Sequence, residues 1–305
     1  MRYAAIDIGS NAVRLLIADI IETGREASFK KNTLIRVPLR LGDDAFLDKE
    51  ISPKKSDELV KTMIAFKHLI DVYKVEDYMA CATSAMREAE NGPELVRRIR
   101  NEANLNLEIV EGQKEANIIY STHIEQALDK KKSYLYIDVG GGSTELTVFA
   151  EGIARASRSF PLGTVRILDN ADTEETWDEM KEWIKLNTKK YKNLTGIGTG
   201  GNINKLFRLS EEKDGMPLAI AKLKAMYSYL SSFSLKERIN VLGLNQDRAD
   251  VIIPACEIYL TVMKCAGVKQ IFVPRVGMVD GIINLLIEKN ISAPAEPQKI
   301  KAEYL

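Results

Sequence analysis

The chain has 305 residues, 45% of them hydrophobic and 28% charged, the balance of an ordinary globular protein long enough for two domains. Lys plus Arg and Asp plus Glu both number 43, which argues against a dedicated nucleic-acid binder, and no apolar run approaches the roughly 20 residues of a membrane helix. The 3 cysteines (Cys81, Cys256, Cys265) are irregularly spaced and read as reduced thiols; with a strand starting at the N-terminus and leaving no room for a signal peptide, the expected compartment is the cytoplasm.

Residues 3–20, YAAIDIGSNAVRLLIADI, read as an apolar strand over 4–6, Asp7 at its end, a turn at Gly9-Ser10-Asn11 and a second apolar strand over 13–20. Residues 27–41 read as a third strand of the same meander, carrying Arg36 and Arg40 into Leu41-Gly42-Asp43-Asp44. Ser52 caps and Pro53 opens a helix whose apolar spacing persists to about Tyr73. Residues 78–82 form a short central strand. Thr83 to Arg87 follow at its carboxyl end, where α/β folds place ligands. A basic helix over 94–101 presents Arg97, Arg98 and Arg100, most simply a solvated face. After a strand over 107–110, Glu111-Gly112 turns into a helix over 113–127. Glu115 thus lies in a first helical turn at the end of a strand. A carboxylate there is either a partner of the helix dipole or a candidate catalytic group. Residues 129–132 are a charged connector.

The opening device recurs at 133–149, SYLYIDVGGGSTELTVF. A strand ends on Asp138; Gly140, Gly141 and Gly142 allow backbone N–H groups to converge on an anion; Ser143 and Thr144 add hydroxyls; Glu145 opens the next apolar run. A tight glycine hairpin is the simpler reading of either copy alone, but two copies of apolar–Asp–x–Gly–Ser–apolar imply two similar half-domains. Facing halves would aim both turns into one cleft. Residues 153–160 read as a third strand. An amphipathic helix over 172–191 turns Trp177, Met180, Trp183 and Ile184 inward. A strand over 194–197 leads to Gly198-Thr199-Gly200-Gly201-Asn202, whose glycines either pack closely or bring a phosphate to a helix N-terminus. One or two helices over 216–240, a helix over 247–266, a strand over 270–273, a long helix over 278–289 and a tail over 290–305 complete the chain.

In order, AAIDIGSNAVRLLIA, RLGDDAFL (40–47), ATSAMREAENG (82–92), EGQKEA (111–116), DVGGGSTEL, FPLGTVR (160–166), GTGGNINKL (198–206) and RADVII (248–253) resemble the exopolyphosphatase / guanosine pentaphosphate phosphatase family of the actin–sugar kinase–Hsp70 superfamily. The resemblance implies a duplicated ribonuclease-H-like α/β fold. Its first lobe would span 1–128, with the C-terminal helix at 278–305 as an optional addition to it, and its second 129–305, with the site between them. It implies phosphoanhydride hydrolysis of polyphosphate or guanosine pentaphosphate, in a homodimer, with no nucleic acid and no membrane as partner. By the same resemblance Glu115 is the catalytic base, and Asp138 and Glu145 are an essential acidic pair. Gly9, Ser10, Asn11, Gly140, Gly141, Gly142 and Ser143 are phosphate cradles, and Arg87 faces the phosphates. Gly200 and Gly201 are added as a further phosphate contact. Asn202, Ala255 and PRVGMVDG (274–281) depart from the family pattern and leave nucleotide preference open. His68 and His123 do not precede Asp, so the chain resembles the short two-lobe form without a His-Asp domain.

Carboxylates beside a polyanion repel it by about 4 kcal/mol per pair at 4 Å and an effective dielectric of 20. Asp7, Asp138 and Glu145 are therefore expected to share a cation, Mg²⁺ or Mn²⁺ as substitute. A phosphotransferase of the same superfamily and a non-catalytic nucleotide-binding protein are the alternatives. The Glu115 segment and the lack of an acceptor motif favour the hydrolase.

Overall fold

The structure, a computed structural model, describes residues 1–23, 26–122, 129 and 132–291. Strands β1 (Arg2–Ile8), β2 (Val13–Thr23) and β3 (Glu26–Val37) form an antiparallel meander. Helices α1 (Leu41–Leu47) and α2 (Pro53–Val72) lead to β4 (Asp77–Ala82), parallel to β1. Helices α3 (Ser84–Glu88) and α4 (Gly92–Ala103) lead to β5 (Glu108–Ile109), parallel to β4, and α5 (Gly112–Tyr120) follows.

The second half repeats this plan. β6 (Ser133–Val139), β7 (Thr144–Ala150) and β8 (Ile153–Phe160) form its meander. After α6 (Thr164–Leu168) and α7 (Glu174–Thr188), β9 (Thr195–Thr199) runs parallel to β6. Then come α8 (Gly201–Leu209), β10 (Leu218–Ala219), α9 (Ile220–Ser231), α10 (Leu235–Asn240), α11 (Gln246–Ala249) and α12 (Ile252–Cys265). β11 (Gln270–Phe272) pairs parallel with β9, and α13 (Met278–Ile291) closes the described chain. The sheets run β3-β2-β1-β4-β5 and β8-β7-β6-β9-β11-β10. Strand order and direction match over the first five strands of each, which makes this a duplicated ribonuclease-H-like fold.

Alternation along β1 supplies two cores. Ala4, Ile6 and Ile8 pack with Leu59, Met63 and Phe66 of α2, while Tyr3 and Ala5 face Ile118, Ile282, Ile283 and Leu286 on the other side. The last helix therefore covers the first sheet. Each aliphatic side chain it buries there is worth about 1.5–3 kcal/mol. Gly281 permits this approach, since a Cβ at that position would meet the Ile118 carbonyl oxygen at 1.8 Å.

Several boundaries differ from expectation for local reasons. Residues 41–47 are helical: Arg40 takes a left-handed conformation (φ 51°), and its N–H donates to the Asn11 carbonyl. The single helix expected over 247–266 is broken between α11 and α12. Pro254 cannot donate to the Asp250 carbonyl, and the Asp250 carboxylate is taken by Arg40 and the Val251 N–H. The expected helix over 113–127 is described only through Tyr120; His123 and the tail from 292 lie outside the described residues. Among the described residues no helix is long and apolar enough to cross a membrane.

Candidate active site

Asp7 is the penultimate residue of β1, opposite Arg14 on β2, and Asp138 holds the same place on β6, opposite Glu145 on β7. Each hairpin closes through its first glycine. The Gly9 N–H donates to the Ala12 carbonyl (3.2 Å) and the Gly140 N–H to the Ser143 carbonyl (2.9 Å). The turns meet: a Cβ on Gly141 would lie 3.1 Å from Ser10 Cβ and 3.2 Å from the Asn11 nitrogen. Ser10 Oγ is 2.8 Å from Ser84 Oγ, and Asn11 Nδ2 donates across the lobes to the Asp247 carbonyl (3.1 Å).

One cavity of about 440 Å³ is lined by Asp7, Glu115, Asp138 and both turns, including Gly9, Ser10, Asn11, Gly140, Gly141 and Ser143. Gly200 and Gly201 line it as well. Gly142 does not; a Cβ there would strike Phe46 and Ser84 at 2.4 Å, so this glycine serves lobe contact. Gly200 (φ +93°) is required for the acid beside it, because a Cβ would sit 2.5 Å from Asp138 Oδ1.

The carboxylates are held differently. Asp7 Oδ2 accepts from Arg14 Nη1 at 2.5 Å. Glu145 Oε1 accepts from Ser159 Oγ at 2.8 Å, and burial pushes its proton affinity up while the Ser143 and Ser159 hydroxyls oppose the rise. Burial, then Glu145 and Asp7, push Asp138 up to about 7 against the pull of Arg14. Glu115 is raised well above the ordinary range by burial, then by Glu145, Asp7 and Asp138. Its buried Oε2 has no hydrogen-bond partner. A carboxyl of raised proton affinity, with one oxygen free of hydrogen bonds in a cavity, is a candidate general base.

Arg87 does not line this cavity. Its guanidinium lies behind Glu115, with Nη1 4.0 Å from Oε2 and donating to the Val110 carbonyl at 2.6 Å. Positive charge in the cavity comes instead from side chains that motif reading passed over: Arg14, Lys31, Arg36, Lys205, Arg208 and Arg275, with Arg248 from RADVII. Burial, with Arg36 and Arg14 nearby, brings Arg248 down to about 9. Nε and Nη2 of Arg36 are buried without hydrogen-bond partners. The Asp247 carboxylate pairs with Arg36 and offsets part of this crowding, and a bound anion would offset more of it. Asn202, a departure from the family pattern, accepts a 2.7 Å hydrogen bond from Arg248 Nη1. The sequence signal for this cluster was Arg14 and Arg36 on paired strands, which their register places side by side.

Asp7 and Asp138 line the cavity and offer it oxygen donors of the kind Mg²⁺ takes, whereas Glu145 does not line it and faces a separate small recess beside Asp138. Among the described residues, however, no three His, Cys, Asp or Glu side chains are grouped to hold a metal. The donor set suits Mg²⁺ held by one or two carboxylates, water and substrate phosphate, not an all-protein cage.

Two halves of one strand order, each closing its first hairpin on an acid and a glycine turn beside one cationic cleft, define a duplicated ribonuclease-H-like fold. Within that class the chain belongs to the Ppx/GppA phosphatase family, whose model matches residues 21–289. It is 29% identical to the bifunctional 3-dehydroquinate synthase/phosphatase of Fusobacterium nucleatum over 82% of this chain, and spans 41% of that relative's length. It is 22% identical to exopolyphosphatase 1 of Mycobacterium tuberculosis, covering 93% of this chain and 87% of that one. The solved Aquifex aeolicus Ppx/GppA family member superposes with a TM-score of 0.75 at 26% identity, covering 95% of this chain and 98% of that one.

Proposed function

We propose that this chain is a hydrolase acting on acid anhydrides. It releases orthophosphate from the end of inorganic polyphosphate, from the 5′ phosphate of guanosine pentaphosphate, or from both. The observation that carries this is the buried Oε2 of Glu115, which accepts no hydrogen bond, in the cavity that both glycine turns line. Glu115 takes the proton of a water attacking the terminal phosphorus in line with the anhydride oxygen. The turns after Asp7 and Asp138, with Ser143, receive the phosphoryl oxygens where transition-state charge gathers. Arg14, Arg36 and Arg248 hold the rest of the polyanion. Asp138 and Glu145, with Asp7 across the cleft, are the residues that would share Mg²⁺, or Mn²⁺ in its place. There the ion would supply charge neutralisation to the substrate phosphates. The free cysteines fit a reducing cytoplasm, and a homodimer is the assembly expected from the family.

The test is orthophosphate release from short polyphosphate, long polyphosphate and guanosine pentaphosphate, each with and without Mg²⁺ and with no acceptor present. Release without an acceptor separates hydrolysis from phosphotransfer. No release from any of the three in the presence of Mg²⁺ sinks the reading.

A further inference from the structure

Behind the catalytic cavity lies a second recess of about 480 Å³, also between the lobes. Arg87 and Gly112 contribute from the first half; Ser143, Ser157, Arg158 and Ser159 contribute from the second. Among the described residues Ser143 alone lines both spaces. Its hydroxyl thus stands at the wall between them, beside Glu145, whose other hydroxyl partner, Ser159, also lines the recess. Arg87 faces the recess on one side and Glu115 on the other. Arg158 is exposed, with its guanidinium 4.9 Å from the centre of the Phe160 ring and paired with Glu179 at 2.7 Å.

We infer that this recess is the way out for orthophosphate. The inference rests on the hydrolase reading and on a matter of space. After cleavage the product sits between the shortened chain and the Ser143 turn. The chain that remains fills the front cavity and carries the same sign of charge, so leaving forward means passing a polyanion. Backward, a small anion meets a cation at Arg87, then the hydroxyls of Ser143 and Ser159, which serve Glu145, and of Ser157, which pairs with Thr147, then a second cation at Arg158. Because these groups already have partners, each holds a passing anion only weakly, and the carboxylates of Glu88 and Glu111 among the lining residues keep the recess from becoming an anion trap. The enzyme can then keep its grip on a long substrate between cuts.

The experiment compares cleavage, by rapid quench, with free orthophosphate, by a fluorescent phosphate sensor, on long polyphosphate with Mg²⁺. Two variants are used, Ser157→Trp to fill the recess and Arg158→Glu to reverse the charge in it. The first cut should keep its parental rate in both. Free orthophosphate should trail cleavage by tenfold or more, and steady turnover should slow accordingly. Cleavage and release that stay coincident in both variants overturn the exit path. So does a first cut slowed as much as release, which would assign the recess to chemistry. Absence of cleavage in the parent protein defeats the hydrolase reading itself and is a separate result.

Discussion

Arg87 Nη1 stands 4.0 Å from Glu115 Oε2 while spending its 2.6 Å hydrogen bond on the Val110 carbonyl. The guanidinium favours the charged carboxylate through space and leaves the oxygen uncapped. Removing that charge raises the proton affinity of Glu115 further. Arg87→Gln is therefore expected to move the acid limb of the kcat/KM profile to higher pH, with activity recovering in alkaline buffer. A pH–rate series on short polyphosphate checks this; a limb that stays in place removes Arg87 from the role.

Glu115→Gln keeps the shape of the side chain and deletes the base. Turnover should fall by roughly 10²- to 10⁴-fold, the usual worth of general-base catalysis. Binding of polyphosphate, followed by equilibrium titration, should hold within a few-fold. Rates like the parent's would take the proton-acceptor role from Glu115.

Asp138 has an ordinary pKa of 3.8 and is pushed up to about 7, chiefly by burial. The folded chain then binds this proton more tightly than the unfolded chain. The stability linked to it is complete in acid, below the unfolded value, and is lost as pH rises through the folded one. Asp138→Asn should accordingly melt at a higher temperature than the parent near pH ~8, where the charge costs on the order of a few kcal/mol, and the gain should shrink toward pH ~4. Calorimetry of the substrate-free protein at both pH values reads the difference. The same variant should be inactive.

Gly200→Ala places a Cβ at φ +93°, 2.5 Å from Asp138 Oδ1. With ψ 171° this is a backbone region almost confined to glycine, costing about 1–3 kcal/mol for alanine, and the carboxylate must move. Loss of activity with a lowered denaturation midpoint is expected. Full activity would show that Asp138 tolerates displacement.

Arg248→Ala removes a guanidinium from the cluster with Arg36 and Arg14. Polyphosphate KM should rise by about ten- to a hundredfold, from ~1.5–3 kcal/mol per hydrogen bond to a charged group, with kcat little changed. The salt dependence of KM should flatten. An unchanged KM would place the chain elsewhere.

The two acidic turns were readable because each is local: an apolar run, an Asp, then glycines and a serine. Their convergence was readable only from duplication. The cations were less legible. Arg14 and Arg36 look like interruptions in apolar strands until β2 and β3 are placed in register. Arg208 and Arg248 are separated by 40 positions and come together only through packing. Arg87, whose motif resembles one that faces phosphate, gives a hydrogen bond to the Val110 carbonyl and lines the second recess, not the front cavity, a placement that only the fold reveals. The break before α12 follows from one proline, yet the apolar periodicity ran straight across it.

The covering of Tyr3, Leu16 and Cys81 by Ile282, Ile283 and Leu286 bears on how the molecule is made. The half translated first lacks one of its own walls until the closing helix emerges, so a ribosome must deliver both halves before the earlier one is sealed. Cutting the gene at the midpoint would yield a leading fragment with a greasy open flank, whereas a circular permutant that moves the closing helix to the front would let that half mature as it is made.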